Sequence, residues 1–217
     1  MKKTSILAAA LITIFSAGAA NAATVSYNFS GVTSSTMGSI SGGTPFTGTF
    51  SYDSSASGVS SPYYGGTQNL FANAYSQLTM TIGGKTATEG APGTMALYNN
   101  VSPPNSIPVG DSLYTFNPLS GQGPLHSSGS FTGLTPNYIY LGFVDSSGKV
   151  FPGNSLPSSL SLSSFNNAFI GINYGPTTTI SFLTRLSPVP EPGTWAMMIA
   201  GLGMLGFAAR RKASSCI

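Results

Sequence analysis

PFTGTFSYD, residues 45–53, decides the fold. Phe46, Phe50 and Tyr52 take one side of this stretch with Gly48 among them, while Thr47, Thr49 and Ser51 take the other. Successive side chains of a β-strand point to opposite faces, so this alternation predicts a half-buried strand. The same period recurs upstream, where Val25, Tyr27 and Phe29 interleave with Ser26, Asn28 and Ser30. Downstream it returns in Leu78, Met80 and Ile82 between Thr79 and Thr81, and again in Ala168, Ile170, Ile172 and Tyr174. TTTISFLTRL, residues 177–186, closes the series. YIYLGFV, residues 138–144, is apolar on both faces and reads as a central strand. Asp145-Ser-Ser-Gly148 follows it and precedes Lys149-Val-Phe151, which predicts a hairpin there.

Between residues 23 and 187 no apolar run repeats with the helical period inside helix caps. The Ser/Gly-rich stretches 33–44 and 54–66 read as long loops. Roughly nine to eleven short strands with turn residues between them predict an all-β domain, a β-sandwich or jelly-roll-like ectodomain.

The ends of the chain are of another kind. Residues 1–22 begin with Lys2 and Lys3, continue apolar from Ile6 to Phe15, and finish in small residues with Ala20-Asn21-Ala22. That order of basic, apolar and small segments is a secretory signal peptide, cut after Ala22 and delivered through the Sec export machinery. At the other end, Trp195 to Ala209 carries no charge, and Arg210, Arg211 and Lys212 follow at once. A helix of that length spans about 22 Å, short of the ~30 Å hydrocarbon core. Trp195 suits the headgroup layer, and the basic cluster suits the cytoplasmic side as a stop. The expectation is a short transmembrane helix over about 195–209.

Ahead of that run stands Pro190-Glu191-Pro192, with a further proline at 188. Proline donates no backbone bond and keeps its predecessor extended, so residues 187–192 present a peptide that a protease can bind. Pro190-Glu191-Pro192, Gly193-Thr194-Trp195, the Gly-rich apolar run and Arg210-Arg211-Lys212 together resemble the PEP-CTERM sorting signal of exported proteins in exopolysaccharide-making Gram-negative bacteria. The resemblance implies an exosortase, a membrane protease or transpeptidase acting near Pro190-Glu191-Pro192. It also implies a transient inner-membrane anchor, then a place at the cell surface or outside the cell. The tail Ala213–Ile217 departs from the usual pattern, which stops soon after the basic residues. FTGTFSYDSS and FVDSSGKVFPGNSLPSSLSLSSF likewise resemble ectodomains that accompany this signal. The chain thus divides into a signal peptide at 1–22, an ectodomain at 23–187 and a sorting signal at 188–217.

With the termini set aside, charge changes sign. The whole chain is +3, but residues 23–187 hold Lys85, Lys149 and Arg185 against Asp53, Glu89, Asp111 and Asp145, a net −1. A nucleic-acid partner loses its support. The sole cysteine, Cys216, lies in the tail, so the exported domain relies on its core and not on a disulfide.

Chemistry-bearing residues are few. His126 is the single histidine, in the loop-like GQGPLHSSGS, and no G-x-S-x-G elbow accompanies it. One histidine and one cysteine cannot form a structural zinc site, and no multi-carboxylate loop offers a calcium site. Gly83-Gly84-Lys85-Thr86 ends like a P-loop but has Thr79 where the first glycine belongs. Asp53 and Asp145 each precede Ser-Ser, the pattern of a turn cap; Asp111 follows Gly110, and Glu89 stands in ATEGAPG. No catalytic residue, metal or cofactor is expected.

The reading is an exported, non-enzymatic surface or extracellular-matrix protein of an exopolysaccharide biofilm. The first alternative is a carbohydrate-binding module, with Tyr63 and Tyr64 beside Gly65 and Gly66 as the ligand contact. The second is a secreted glycan hydrolase working through paired carboxylates.

Overall fold

The computed structural model describes residues 24–89, 92–102, 110–115, 128–131, 134–174, 176–190 and 198–204. The signal peptide at 1–22, His126, Glu191, Pro192, Trp195, Arg210, Arg211 and Lys212 lie outside the described residues. Among the described residues no helix is long and apolar enough to cross a membrane; of the expected span, residues 198–204 are described, and they are helical.

Among the described residues every strand pairing is antiparallel. β1 (Thr24–Val32) pairs with β2 (Pro45–Asp53), and β2 pairs with β4 (Gly66–Ile82). β6 (Gly93–Val101), β7 (Gly110–Tyr114), β9 (Tyr138–Asp145), β10 (Asn167–Tyr174) and β11 (Thr177–Pro188) follow in spatial order, and β11 returns to β1. Eight strands therefore close into a ring, an up-and-down barrel. This corrects the expected sandwich. Period-two alternation says which side chains face inward, and a sandwich and a barrel share it. The partner of each strand is set by register, and the Tyr27–Pro188 to Gly31–Leu183 ladder that seals the ring joins the two ends of the domain. Closure removes the unpaired edges that an open sheet must protect.

β4 makes the closure unusual. At 17 residues it extends over about 56 Å, nearly twice the length of its neighbours. β2 and then β3 (Val59–Tyr63) run along one edge of it, while β5 (Lys85–Thr88) and then β6 run along the other. Tyr75, opposite both Tyr52 and Gly93, is where the two sides change over. Register shifts on both sides of this point, and Asn73, at φ 56°, takes the left-handed conformation that Asn tolerates better than most residues. β3 falls in the stretch read as a loop. VSSPY has no alternation and is exposed, so only its partner on β4 makes it a strand.

The interior is one apolar column, as expected for eight strands. Tyr27, Phe29, Phe46, Phe50, Tyr52, Phe71, Tyr75, Leu78, Met80, Leu97, Leu141 and Ile170 are buried in it. Burying side chains of this size contributes about 1.5–3 kcal/mol each. Tyr27 stacks on Phe50 at 6.4 Å and Phe50 on Tyr52 at 5.2 Å.

One mouth is plugged by the segment after β9. The Asp145–Gly148 turn forms as read, but Lys149-Val-Phe151 does not return as a strand. It continues into a long loop with a 3₁₀ turn at Leu162–Ser164, whose Phe151, Leu156 and Leu160 are buried against the core. The Tyr52 hydroxyl donates to the Pro157 carbonyl at 2.6 Å, and the Leu160 N–H donates to the Tyr27 hydroxyl at 2.6 Å. The other mouth is covered by the 33–44 loop, where Met37 and Ile40 bond each other's backbone and bury their side chains.

Candidate functional site

The carboxylates are the first place to look for chemistry, and each of the four among the described residues is engaged by backbone. Asp53 Oδ1 accepts from the Ser55 N–H at 2.8 Å, the turn cap read from sequence. Asp145 does the same for Ser147 at 3.0 Å and also accepts from the Lys149 N–H at 3.0 Å. Asp111 and Asp145 stand opposite one another on β7 and β9. Asp111 is fully buried within β7, not in a turn as expected: Oδ1 accepts from Asn100 N–H at 2.9 Å and Oδ2 from Phe151 N–H at 2.7 Å. Glu89, read as a loop residue, is buried and accepts from the Ile139 N–H at 2.7 Å. It lies beside Tyr75, whose hydroxyl is pushed up by burial and then further by the Glu89 charge. Among the described residues no three His, Cys, Asp or Glu side chains gather. Gly83 and Gly84, at φ 57° and 76°, form the β4–β5 hairpin turn, so the P-loop-like letters are a turn signal.

The outer wall holds what the carboxylates do not. The register of six strand pairs aligns one row of side chains across seven strands: Phe182, Phe169, Gly142, Tyr114, Ala96, Leu70 and Val59. Every member is apolar or aromatic. Phe169 and Ala96 are buried in the middle, whereas Phe182 and Val59 at the ends are 52% and 75% exposed. The adjacent row on one side carries Val144, Ser112, Tyr98, Gln68 and Ser61; on the other, Gly171 and Tyr140.

The rings of these rows form a chain. Tyr64 meets Tyr63 edge-on at 4.7 Å, Tyr63 meets Tyr98 at 5.3 Å, and Tyr98 meets Tyr114 at 6.0 Å. Tyr114 meets Phe169 at 6.3 Å, Phe169 meets Tyr140 at 6.2 Å, and Tyr140 meets Tyr138 at 6.2 Å. Such pairs add about 0.5–1.5 kcal/mol beyond the area they bury. Glycines let the rings lie flat on the sheet. A Cβ on Gly142 would stand 2.5 Å from Phe169 Cζ, and one on Gly171 would enter the Tyr140 ring. Gln68 Nε2 donates to the Tyr98 hydroxyl at 2.8 Å. Burial pushes the Tyr114 hydroxyl up to about 12, although Ser112 pulls the other way, and Tyr98 and Tyr140 are also raised by burial. These three phenols therefore stay protonated across the physiological range.

Tyr63 and Tyr64 end this chain. They sit at the β3–β4 hairpin, where Tyr64 takes φ 41° and its carbonyl accepts from the Ser102 N–H at 3.0 Å. Tyr64 is 55% exposed. This pair is legible in the sequence from its place beside Gly65 and Gly66, whereas Phe182, Phe169, Tyr140, Tyr138, Tyr114 and Tyr98 are not. Their alignment comes from cross-strand register, for which no local signal exists. The signal that could have found them is the second apolar face of 138–144, which requires a cover.

The opposite wall is hydroxylic. Arg185, Ser30, Thr47, Thr81 and Thr86 form one cross-strand row, and Ser187, Asn28, Thr49, Thr79 and Thr88 the next. Thr49 and Thr79 share a hydroxyl bond of 2.7 Å, as do Thr81 and Thr86.

β11 leaves the ring beside the plugged mouth. Pro188 is opposite Tyr27, the Val189 N–H donates to the Ser26 carbonyl at 2.8 Å, and Pro190 is exposed. Nothing separates the last barrel bond from the Pro190-Glu191-Pro192 motif. Residues 188–212 match the family model of the PEP-CTERM protein-sorting motif. The chain carries a PEP-CTERM sorting motif. The motif implies an exported protein that an exosortase sorts and that is anchored in a membrane only transiently. Comparison with curated proteins and with solved structures gives no match.

Proposed function

We propose that this chain is a non-enzymatic protein of the cell surface or extracellular matrix of a Gram-negative cell, associated with exopolysaccharide in a biofilm. The observation that carries the reading is the PEP-CTERM motif, which begins where the barrel's last strand ends. An exosortase acting near Pro190-Glu191-Pro192 would release a barrel whose strands are all paired. The non-enzymatic part draws on Asp53, Glu89, Asp111 and Asp145, each of which accepts backbone N–H groups. A glycan hydrolase needs one carboxyl free to donate a proton and a second free to attack or activate water.

Intact mass of the protein from its own cells, with and without the exosortase, tests the reading. A chain starting at Ala23 and ending near Pro190 to Pro192 only when the enzyme is present supports it. A chain ending at Ile217 in both strains makes the apolar run a permanent anchor and removes the sorting step. The hydrolase alternative has its own readout: shortening of the cells' exopolysaccharide on incubation with the purified protein.

A further inference from the structure

We infer that the aromatic outer wall is a binding strip for a single neutral polysaccharide chain, laid along the row from Phe182 to Val59. The inference rests on the matrix reading above and adds a ligand class and a surface to it.

Chemistry selects the ligand. A pyranose presents apolar C–H faces rimmed by hydroxyls, and the wall presents aromatic faces rimmed by phenols and amides. Asn173, opposite Tyr138 and bonded to Asn137 at 2.8 Å, supplies amides at the Tyr138 end, and Gln68 stands in the wall between Tyr98 and Ser61 toward the Tyr63 end. No charged side chain stands in any of the rows that form the wall. Burial keeps the phenols of Tyr98, Tyr114 and Tyr140 protonated. An acidic polymer or an anionic lipid surface would find no countercharge here.

Shape selects it further. Six strand spacings of about 4.8 Å give a row of roughly 29 Å, long enough for several sugar residues. The wall of a closed barrel is convex, so two copies would meet along a line and fall well short of the ~800 Å² per partner of a stable interface. A polymer ribbon can follow the curve. The exposed rings Tyr64 and Phe182 at opposite ends give it two stacking points, and the half-buried Tyr138 and Tyr140 give it a floor.

Native-gel affinity electrophoresis of the protein released by its own cells tests this, with the cells' own exopolysaccharide and with hydroxyethyl cellulose as a defined neutral probe. Alginate serves as the acidic counterpart. Retardation by a neutral polymer is expected, weakened about tenfold or more in the Tyr64→Ala/Phe182→Ala double variant. Both side chains are exposed, so the fold survives their loss. Thr47→Ala/Thr81→Ala on the hydroxylic wall should bind like the parent. Retardation should also hold constant from about 0.05 to about 0.5 M salt. No retardation by either neutral polymer overturns the inference, as does retardation unchanged in the double variant. Stronger, salt-sensitive retardation by alginate overturns it in favour of an acidic ligand. A dimer in sedimentation that Phe182→Ala dissolves overturns it in favour of a second copy. Fractionation separates this inference from the reading beneath it. Double-variant protein that still reaches the matrix leaves the matrix role standing without the strip, whereas parent protein missing from the matrix removes the role itself.

Discussion

The Tyr140 ring lies over Gly171 on the neighbouring strand, in the space a Cβ would need. Glycine usually weakens a strand, because it carries no side chain to pack and loses the most backbone entropy. Here the ring across the ladder supplies the missing contact. Gly171→Ala should destabilise the barrel by about 1–3 kcal/mol. In a Tyr140→Ala background the same change should be neutral or stabilising. Thermal unfolding of the four proteins in this cycle gives the coupling, and additive effects would sink the account.

Asp111 ties β7 to the end of the neighbouring strand β6, through Asn100, and to the plug segment 40 positions on, through Phe151. Asp111→Ala leaves two buried N–H groups without an acceptor and should cost about 2–4 kcal/mol. Asp111→Asn should be nearly as costly, since its NH₂ turns a donor toward one of the same N–H groups. Urea unfolding distinguishes this from a carboxylate kept for chemistry, which Asn would replace with little loss of stability.

Asp145 makes the barrel acid-sensitive in a defined direction. Burial pushes its carboxyl up, but the Ser147 hydroxyl, the Lys149 and Ser147 N–H groups and the Lys149 charge together hold it below the ordinary value. Its folded pKa is thus lower than its unfolded one. The stabilisation is complete above the unfolded value near about 4 and is lost as pH falls through the folded one. Melting temperature followed from neutral pH downward should drop below about pH 4, and Asp145→Asn should flatten part of that drop. An unchanged slope in the variant would assign the acid sensitivity elsewhere.

Legibility followed the range of each signal. Tyr27 and Phe29, Phe46 and Phe50, and Leu78 and Met80 announced their inward face because alternation is local, and all are buried. The Ser55 and Ser147 turns were legible for the same reason. Closure was not, because Tyr27 opposite Pro188 is a pairing between opposite ends of the domain. Glu89 does stand outside the strands, as read, but its burial was not legible because its partner Ile139 is 50 positions away. β3 needs β4 in order to be a strand at all. The wall combines these difficulties: Tyr63 and Tyr64 are adjacent in sequence and were found, while Phe182 joins them only through the intervening strands.

The order in which a secreted chain emerges gives the β1–β11 seam a further consequence. Export proceeds from the N-terminus, so β1 crosses long before its partner, and β11 crosses immediately ahead of the apolar tail. Pairing between such distant segments waits on the slowest loop closure in the domain. The ring therefore seals last, and the transient membrane anchor that the sorting motif implies would hold the unsealed domain in place during that interval. The open edges of β1 and β10 would then be restrained from meeting those of other chains. The removable tail would in that case serve also as a timer, keeping each molecule apart from its neighbours until its own last strand has arrived.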